Sequence, residues 1–365
     1  MAEQVAEPPG PGAVSDAVWS AQGTTPDAIE AALRELLARQ HAQNRSFVPA
    51  RVLNMIAIVD RDWKGEIQNR LEGVGRYHAS RTILVAVEPG RTTLDAWASL
   101  HSDVDLVAPG QLALTHEDVE VDVGPKHVPN LSTIVDPLLV RDLITIVWSP
   151  HGHAEAVDAL LGLTDVVLLD SVEDLDVAAA LGRVAELAAH AYIVDLAWLR
   201  STPWRERIAA TFDPPYLRPA LRQLSSVTVR HRSDSTAAAL MLVGWLASRL
   251  NWQPHALTRR NGAREGKLRA RRGEVSVRLE SSDDLSVPGL AGVTIETAHG
   301  YEISLDRGPG GLTAHRRTRD GSEQRWTLLG ASRGERGILG EGVRQALLRD
   351  PTYRPALEAA RAMLS

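Results

Sequence analysis

Cysteine is absent from this 365-residue chain, which excludes disulfides, thiolate nucleophiles, cysteine zinc sites and thiol redox switches together. Any chemistry must come from other groups. No apolar run suits a membrane: the most apolar stretch, STAAALMLVGWLASRL (235–250), is shorter than the roughly 20 residues a bilayer crossing needs. It reads as a buried core helix. The chain does not open with a basic segment followed by an apolar one, so no secretory signal is expected and a cytoplasmic location is. Residues 1–24, with Pro8, Pro9, Gly10, Pro11 and Gly12 and no apolar period, read as a flexible leader.

Phosphate-binding loops are missing as well. Gly73 and Gly75 in GVGRYH follow a helical pattern, whereas a dinucleotide fingerprint follows a strand and opens a helix; helix C-capping is the better account. GPGG (308–311) sits between strand-like runs as a hairpin turn, with no Walker lysine after it. The pair His151 and His153 in HGH has neither the helical spacing of zinc proteases nor cysteine partners, so loop histidines are expected. No cofactor or metal is expected.

What is present is an alternation of apolar runs and helical periods. PDAIEAALRELLARQHAQ (26–43) puts Ile29, Leu33, Leu36 and Leu37 on one face, with Pro26 in a favoured first-turn position. RVLNMIAIVD (51–60) and RTILVAVE (81–88) read as buried strands flanking a helix, a βαβ unit with parallel pairing. LITIVW (143–148), DVVLLD (165–170) and intervening helices continue the pattern. SVTVRH (226–231) is expected to close that sheet. Beyond Trp252 the runs become short and alternating, split by Gly and Pro turns, with helices near 338–349 and 355–364. The expected fold is α/β, with a mostly parallel three-layer sheet domain over 25–252. A largely antiparallel α+β domain follows over 253–365.

Charge is uneven. Residues 1–250 hold 21 Lys+Arg against 32 Asp+Glu, whereas residues 251–365 hold 19 against 14. Seven basic residues crowd RRNGAREGKLRARR (259–272), with Glu265 as the only acid. Interleaved aromatics for stacking nucleic-acid bases are lacking there. A solvated hairpin edge or a surface for an anionic partner is expected, with Arg269 and Arg271 as candidates. Nucleic acid is the weaker reading.

In a chain whose aromatics are sparse, two tryptophans, Trp198 and Trp204, stand six apart in DLAWLRSTPWRERI (195–208). Pro203, with Thr202 before it, explains a helix start, while Trp and Arg are also the residues enriched at interface hot spots. Core packing and a binding surface both remain open. In HASR (78–81), Ser80 and His78 make a poor nucleophile and base, because residues two apart on extended chain do not face one another. Arg81 is expected to hold its loop or a partner's carboxylate.

Taken together, RVLNMIAIVD, RYHASRTILVAV, DLAWLRSTPWR and MLVGWLASRLNW resemble the OpcA family of glucose-6-phosphate dehydrogenase assembly proteins over about residues 26–255. The resemblance implies a protein that is not an enzyme, with glucose-6-phosphate dehydrogenase as its partner, acting in the oxidative pentose phosphate pathway by assembly or allosteric activation. Neither a membrane nor nucleic acid is expected as a partner, and self-association stays open.

The family pattern falls on Arg51, His78, Ser80 and Arg81, on Asp195, Leu196, Trp198, Trp204 and Arg205, and on Gly244 to Arg249. His78, Ser80, Trp198, Trp204 and Trp245 are then expected to be scaffold, with Arg81, Arg205 and Arg249 facing a partner. Trp204 should seat its helix in the core while Arg205 points outward. The pattern departs at Arg141-Asp142 and at Val147 with Trp148, where relatives carry a proline and a tryptophan pair. The rival reading is a sugar-phosphate-binding enzyme or sensor at the carboxyl edge of the parallel sheet, near Trp148, His151 and His153.

Overall fold

Parallel pairing in the first part of the chain follows from the apolar runs. The structure, a computed structural model, describes residues 15–43, 51–75, 80–102, 115–172, 176–282, 287–308, 311–329 and 334–365. They fall into two compact units, Met1–Val167 and Leu168–Ser365.

The first unit contains β1 (Ser15–Ala21), α1 (Pro26–Gln43), β2 (Leu53–Asp60), α2 (Lys64–Gly75), β3 (Ser80–Val87), β4 (Asp95–Ser102), β5 (Thr115–Val123), α3 (Leu131–Val135), β6 (Ile144–Trp148) and α4 (Ala154–Leu160). Strand β7 (Val166–Leu169) carries the chain into the second unit. Within the first unit the strand order is β1-β4-β5-β3-β2-β6. Strands β5, β3, β2 and β6 pair in parallel, and β4 and β1 add antiparallel at one edge. Seven successive residues of β2, Leu53 to Val59, are buried, as a parallel strand covered on both faces requires. Helix α1 buries Ile29, Leu33 and Leu36 as its period predicts.

Two expectations for this unit change. The leader was expected to run to residue 24, yet 15–21 form β1, paired with β4. The polar stretch after β3 supplies β4 and β5. Strand β5 alternates strictly, with Val119, Val121 and Val123 inside and Glu120 and Asp122 on the opposite face, so its charges hid a period-two strand.

The second unit contains α5 (Val177–Leu187), β8 (Tyr192–Asp195), α6 (Leu196–Arg200), α7 (Thr202–Phe212), β9 (Leu224–His231), α8 (Thr236–Leu250), β10 (Thr258–Arg260), β11 (Ala263–Ala270), β12 (Gly273–Ser281), β13 (Leu290–Thr297), β14 (Glu302–Gly308), β15 (Gly311–Arg317), β16 (Glu323–Leu329), α9 (Gly334–Leu348) and α10 (Tyr353–Ala362). Its large sheet runs β10-β11-β12-β9-β13-β14-β15-β16 and is antiparallel except at β12-β9. Strand β9 was expected to close the first sheet. It lies instead inside the second, parallel to β12 and antiparallel to β13. The change of texture at Trp252 therefore falls inside the second unit, which the chain enters at Leu168.

Helix α8 is buried almost throughout, as its composition predicts. Gly244 lets it approach α10, because a Cβ there would stand 2.3 Å from the Ala356 carbonyl oxygen. No helix among the described residues is long and apolar enough to cross a membrane.

Candidate functional site

The tryptophan-bearing stretch folds into a buried network within the second unit. Asp195 ends β8 and caps α6, accepting hydrogen bonds from the backbone N–H of Ala197 at 3.0 Å and of Ser171 at 3.1 Å. The Tyr353 hydroxyl donates to its other oxygen at 3.2 Å. Burial, then the neighbouring Asp170, pushes the Asp195 carboxyl up to about 6. Burial and the Asp195 charge raise the Tyr353 hydroxyl in turn.

Helix α6 buries Leu196, Ala197, Trp198 and Leu199, and Arg200 at its end pairs with Asp170 at 2.6 Å. The Trp198 indole N–H donates to Asp350 at 2.9 Å, and its ring meets Tyr353 edge-on at 5.5 Å. The Ser201 hydroxyl closes the turn onto the Trp198 carbonyl at 2.7 Å, and Pro203 then starts α7.

Arg205, expected to face outward, is buried at 8% exposure. Its guanidinium lies 3.5 Å from the centre of the Trp198 ring. It donates to Thr202 Oγ1 at 2.8 Å, to the Trp198 carbonyl at 3.2 Å and to Ser201 Oγ at 3.2 Å. Asp350 stands 3.5 Å away, and burial brings the guanidinium down to about 10. The reason is the width of the buried face. Trp204, Ile208 and Phe212 repeat every four residues, and Arg205 precedes Ile208 by three and Phe212 by seven, so it lies on the same stripe. Trp204 is buried as expected.

Asp350 and Tyr353 were not singled out from the sequence. Asp350 also accepts from the backbone N–H and the hydroxyl of Thr352. The one signal for it is Asp350-Pro351, a dipeptide that favours turn initiation.

In the first unit, Ser80 opens β3 and is buried, with its hydroxyl 3.3 Å from that of Thr82. Arg81 is buried too. Its Nε donates to Glu117 at 2.5 Å and its Nη1 to the Leu138 carbonyl at 2.8 Å. Arg51 Nε donates to the other oxygen of Glu117 at 2.6 Å. Glu117 is fully buried, so two arginines clamp one carboxylate at the amino edge of the sheet. The carboxylate expected for Arg81 on a partner is supplied by this chain. His78 lies outside the described residues.

Trp245 is half-buried on α8, and Arg249, Arg269 and Arg271 are exposed. Arg259, Arg260 and Arg272 are exposed around the same hairpins, and Lys267 pairs with Glu274 at 2.8 Å. Asn261 and Gly262 make the β10-β11 turn with φ of 49° and 79°, the left-handed pair that a two-residue hairpin needs.

At the carboxyl edge of the first sheet, Trp148 is buried. The ring of His151 lies 5.0 Å from that of Trp63, and His153 stands 3.2 Å from Asp60. Among the described residues no group of three or more His, Asp or Glu is placed to hold a metal.

The chain matches two family models. One, the N-terminal domain of a glucose-6-phosphate dehydrogenase subunit, covers residues 72–186; the other, the C-terminal domain of that subunit, covers residues 191–357. Over 128 residues it is 34% identical to the OxPP cycle protein OpcA of Synechococcus elongatus, covering 34% of this chain and 29% of that protein. Over 133 residues it is 32% identical to the protein of the same name in Nostoc punctiforme, covering 35% and 29%. The matched segment thus spans less than a third of either relative. Among solved structures it is similar to myo-inositol 2-dehydrogenase from Lactobacillus plantarum, with a TM-score of 0.44 and 11% identity over 85% of this chain and 94% of that one.

Proposed function

The chain belongs to the OpcA family of glucose-6-phosphate dehydrogenase subunits, and from that membership we propose that it is a non-catalytic cytoplasmic protein that binds glucose-6-phosphate dehydrogenase and promotes its assembly or allosteric activation. The observation that carries the reading is the match, in order, to both domains of such a subunit. The geometry adds support. In the tryptophan-bearing stretch of the family pattern, Trp198 and Arg205 are tied up in internal hydrogen bonds and ring contacts and Trp204 is buried, which makes a rigid corner.

Docking then falls to exposed groups, and we assign it to Arg249, Arg269 and Arg271, whose charge suits an acidic patch on the dehydrogenase. Coupling between such partners is typically about 1 to 3 kcal/mol, a change of about 5- to 150-fold in substrate affinity.

The test mixes the purified chain with the dehydrogenase of its own organism and follows co-elution together with NADP reduction across substrate concentrations. Co-elution with a shifted substrate dependence is expected. Separate elution with unchanged kinetics would remove the proposal.

A further inference from the structure

Within the first unit, a cleft of about 360 Å³ opens where β2, β3 and β5 reach their carboxyl ends. Arg61, Lys64, Arg91, Trp97, Glu120 and Asp122 are among its walls. The volume lies at the lower end of the roughly 300 to 1,000 Å³ of small-molecule sites, and the carboxyl edge is where open α/β sheets bind ligands.

Its walls are built from charge at a cost. Asp95 of β4 stands directly opposite Asp122 of β5, and like charges so placed repel. Three cations hold them. Arg61 reaches Asp122 at 2.7 Å and Glu88 at 3.3 Å. Lys64 reaches Glu120 at 2.7 Å and Asp122 at 2.8 Å. Arg91 donates to Glu88 at 2.7 Å and pairs with Asp95.

The ring is set in rigid surroundings. Asp95 also accepts from the backbone N–H of Gly23 at 2.9 Å, which holds its carboxyl below the usual range. Gly124 is pressed on the Arg91 backbone so closely that a Cβ would fall 1.8 Å from its carbonyl oxygen. Trp97 is half-buried and directly opposite Glu120, so the two share a face of the sheet.

Three cations against four carboxylates leave this ring without the positive excess an anion needs. A phosphate would have to displace carboxylates from each cation. A hydroxyl, both donor and acceptor, can add to the ring without breaking it: Lys64 has three N–H groups for its two carboxylates, each guanidinium has five, and carboxylate oxygens keep spare lone pairs. A half-buried indole beside them offers a flat apolar wall. We propose that this cleft binds a neutral polyhydroxylated ligand of monosaccharide size, held by the charged ring and stacked on Trp97.

The full chain, without the dehydrogenase, is titrated with D-glucose, D-ribose and inorganic phosphate at constant ionic strength, by calorimetry and ligand-detected NMR. At least one sugar should bind with a Kd on the order of 1 mM, as expected for a small ligand relying on polar contacts, and phosphate should not bind. Arg61→Ala and Asp122→Asn should each weaken the sugar about tenfold or more. Arg61 is 43% exposed, so its variant should keep the melting temperature and the dehydrogenase co-elution of the parent. Failure of both sugars to bind, binding untouched by both substitutions, or phosphate displacing a bound sugar would each overturn the assignment. Because the titration omits the dehydrogenase, its outcome is separate from the fate of the partner reading.

Discussion

Arg205 shows how a residue's type can point one way and its position another. An exposed arginine would contribute less than about 1 kcal/mol; this one is buried against the Trp198 ring and donates to three oxygens. Arg205→Ala should therefore destabilise the protein by about 3 kcal/mol or more, since it strands buried acceptors and empties the space over an aromatic ring. Arg205→Lys should recover only part, lacking the planar fork. Urea unfolding of both variants checks this, and an alanine variant as stable as the parent would contradict the buried network. Asp195 yields a pH prediction. Its folded value of about 6 lies above the unfolded value of about 3.9, so the native state holds the proton more tightly. Its contribution is fully present below about pH 4 and is lost as pH rises through 6, up to about 3 kcal/mol at two pKa units. Asp195→Asn, which cannot ionise, should gain stability relative to the parent as pH goes from 4 to 7. Parallel melting curves across that range would expose a constant difference, the result that counts against it. The sequence marked Trp198 and Trp204 because they stand six apart in a chain poor in aromatics, and Asp195 through the family pattern. Beyond the turn signal at Asp350-Pro351, nothing local ties Asp350 or Tyr353 to the network, which they join from more than 140 residues away.

Among the elements, those read correctly carry their whole signal locally. Seven buried residues in β2 and the one-sided face of α1 need no knowledge of neighbours. Those misread take their identity from pairing. Strand β5 shows Glu120 and Asp122 on one face because cations from elsewhere cover it, and β9 resembles a closing strand of the first sheet until β12 and β13 are seen beside it. The close approach of α8 and α10 is of this second kind. Gly244 looks like an ordinary helix weakness in the sequence, costing about 1 kcal/mol relative to alanine. In the fold, a methyl group there meets the backbone of α10, with Ala356 O at 2.3 Å and Ala360 N at 3.1 Å. Backbone cannot rotate away as a side chain can. Gly244→Ala should thus reverse the usual sign, destabilising by about 1 to 3 kcal/mol through overpacking. A calorimetric melt that rises would show that the two helices can separate at little cost.

At the scale of the whole molecule, charge divides with the compact units. Residues 1–167 carry 12 Lys+Arg against 23 Asp+Glu, and residues 168–365 carry 28 against 23. Fields of opposite sign on one chain favour an oriented encounter with a partner, and such steering acts mainly on the association rate. The lack of cysteine sets a boundary on how that encounter is regulated, for no thiol switch can act through this chain. With a cysteine-free dehydrogenase, affinity should be the same under reductant and mild oxidant, and a redox response in that pairing would be fatal to the expectation. The docking assignment is tested by charge. Arg269 and Arg271 are exposed beside the β11-β12 turn, so reversing them should leave the fold intact, since exposed charges contribute little to stability. Arg269→Glu with Arg271→Glu should nevertheless slow association with the dehydrogenase about tenfold or more at low salt. The deficit should shrink as added salt shortens the screening length from about 30 Å at 0.01 M to about 8 Å at 0.15 M. Arg249→Glu, on a helix rather than the hairpin, reports whether docking extends beyond the β-sheet edge. Stopped-flow association across a salt series measures all three proteins. If the hairpin variant associates at the parental rate at low salt, docking belongs to another surface of the molecule.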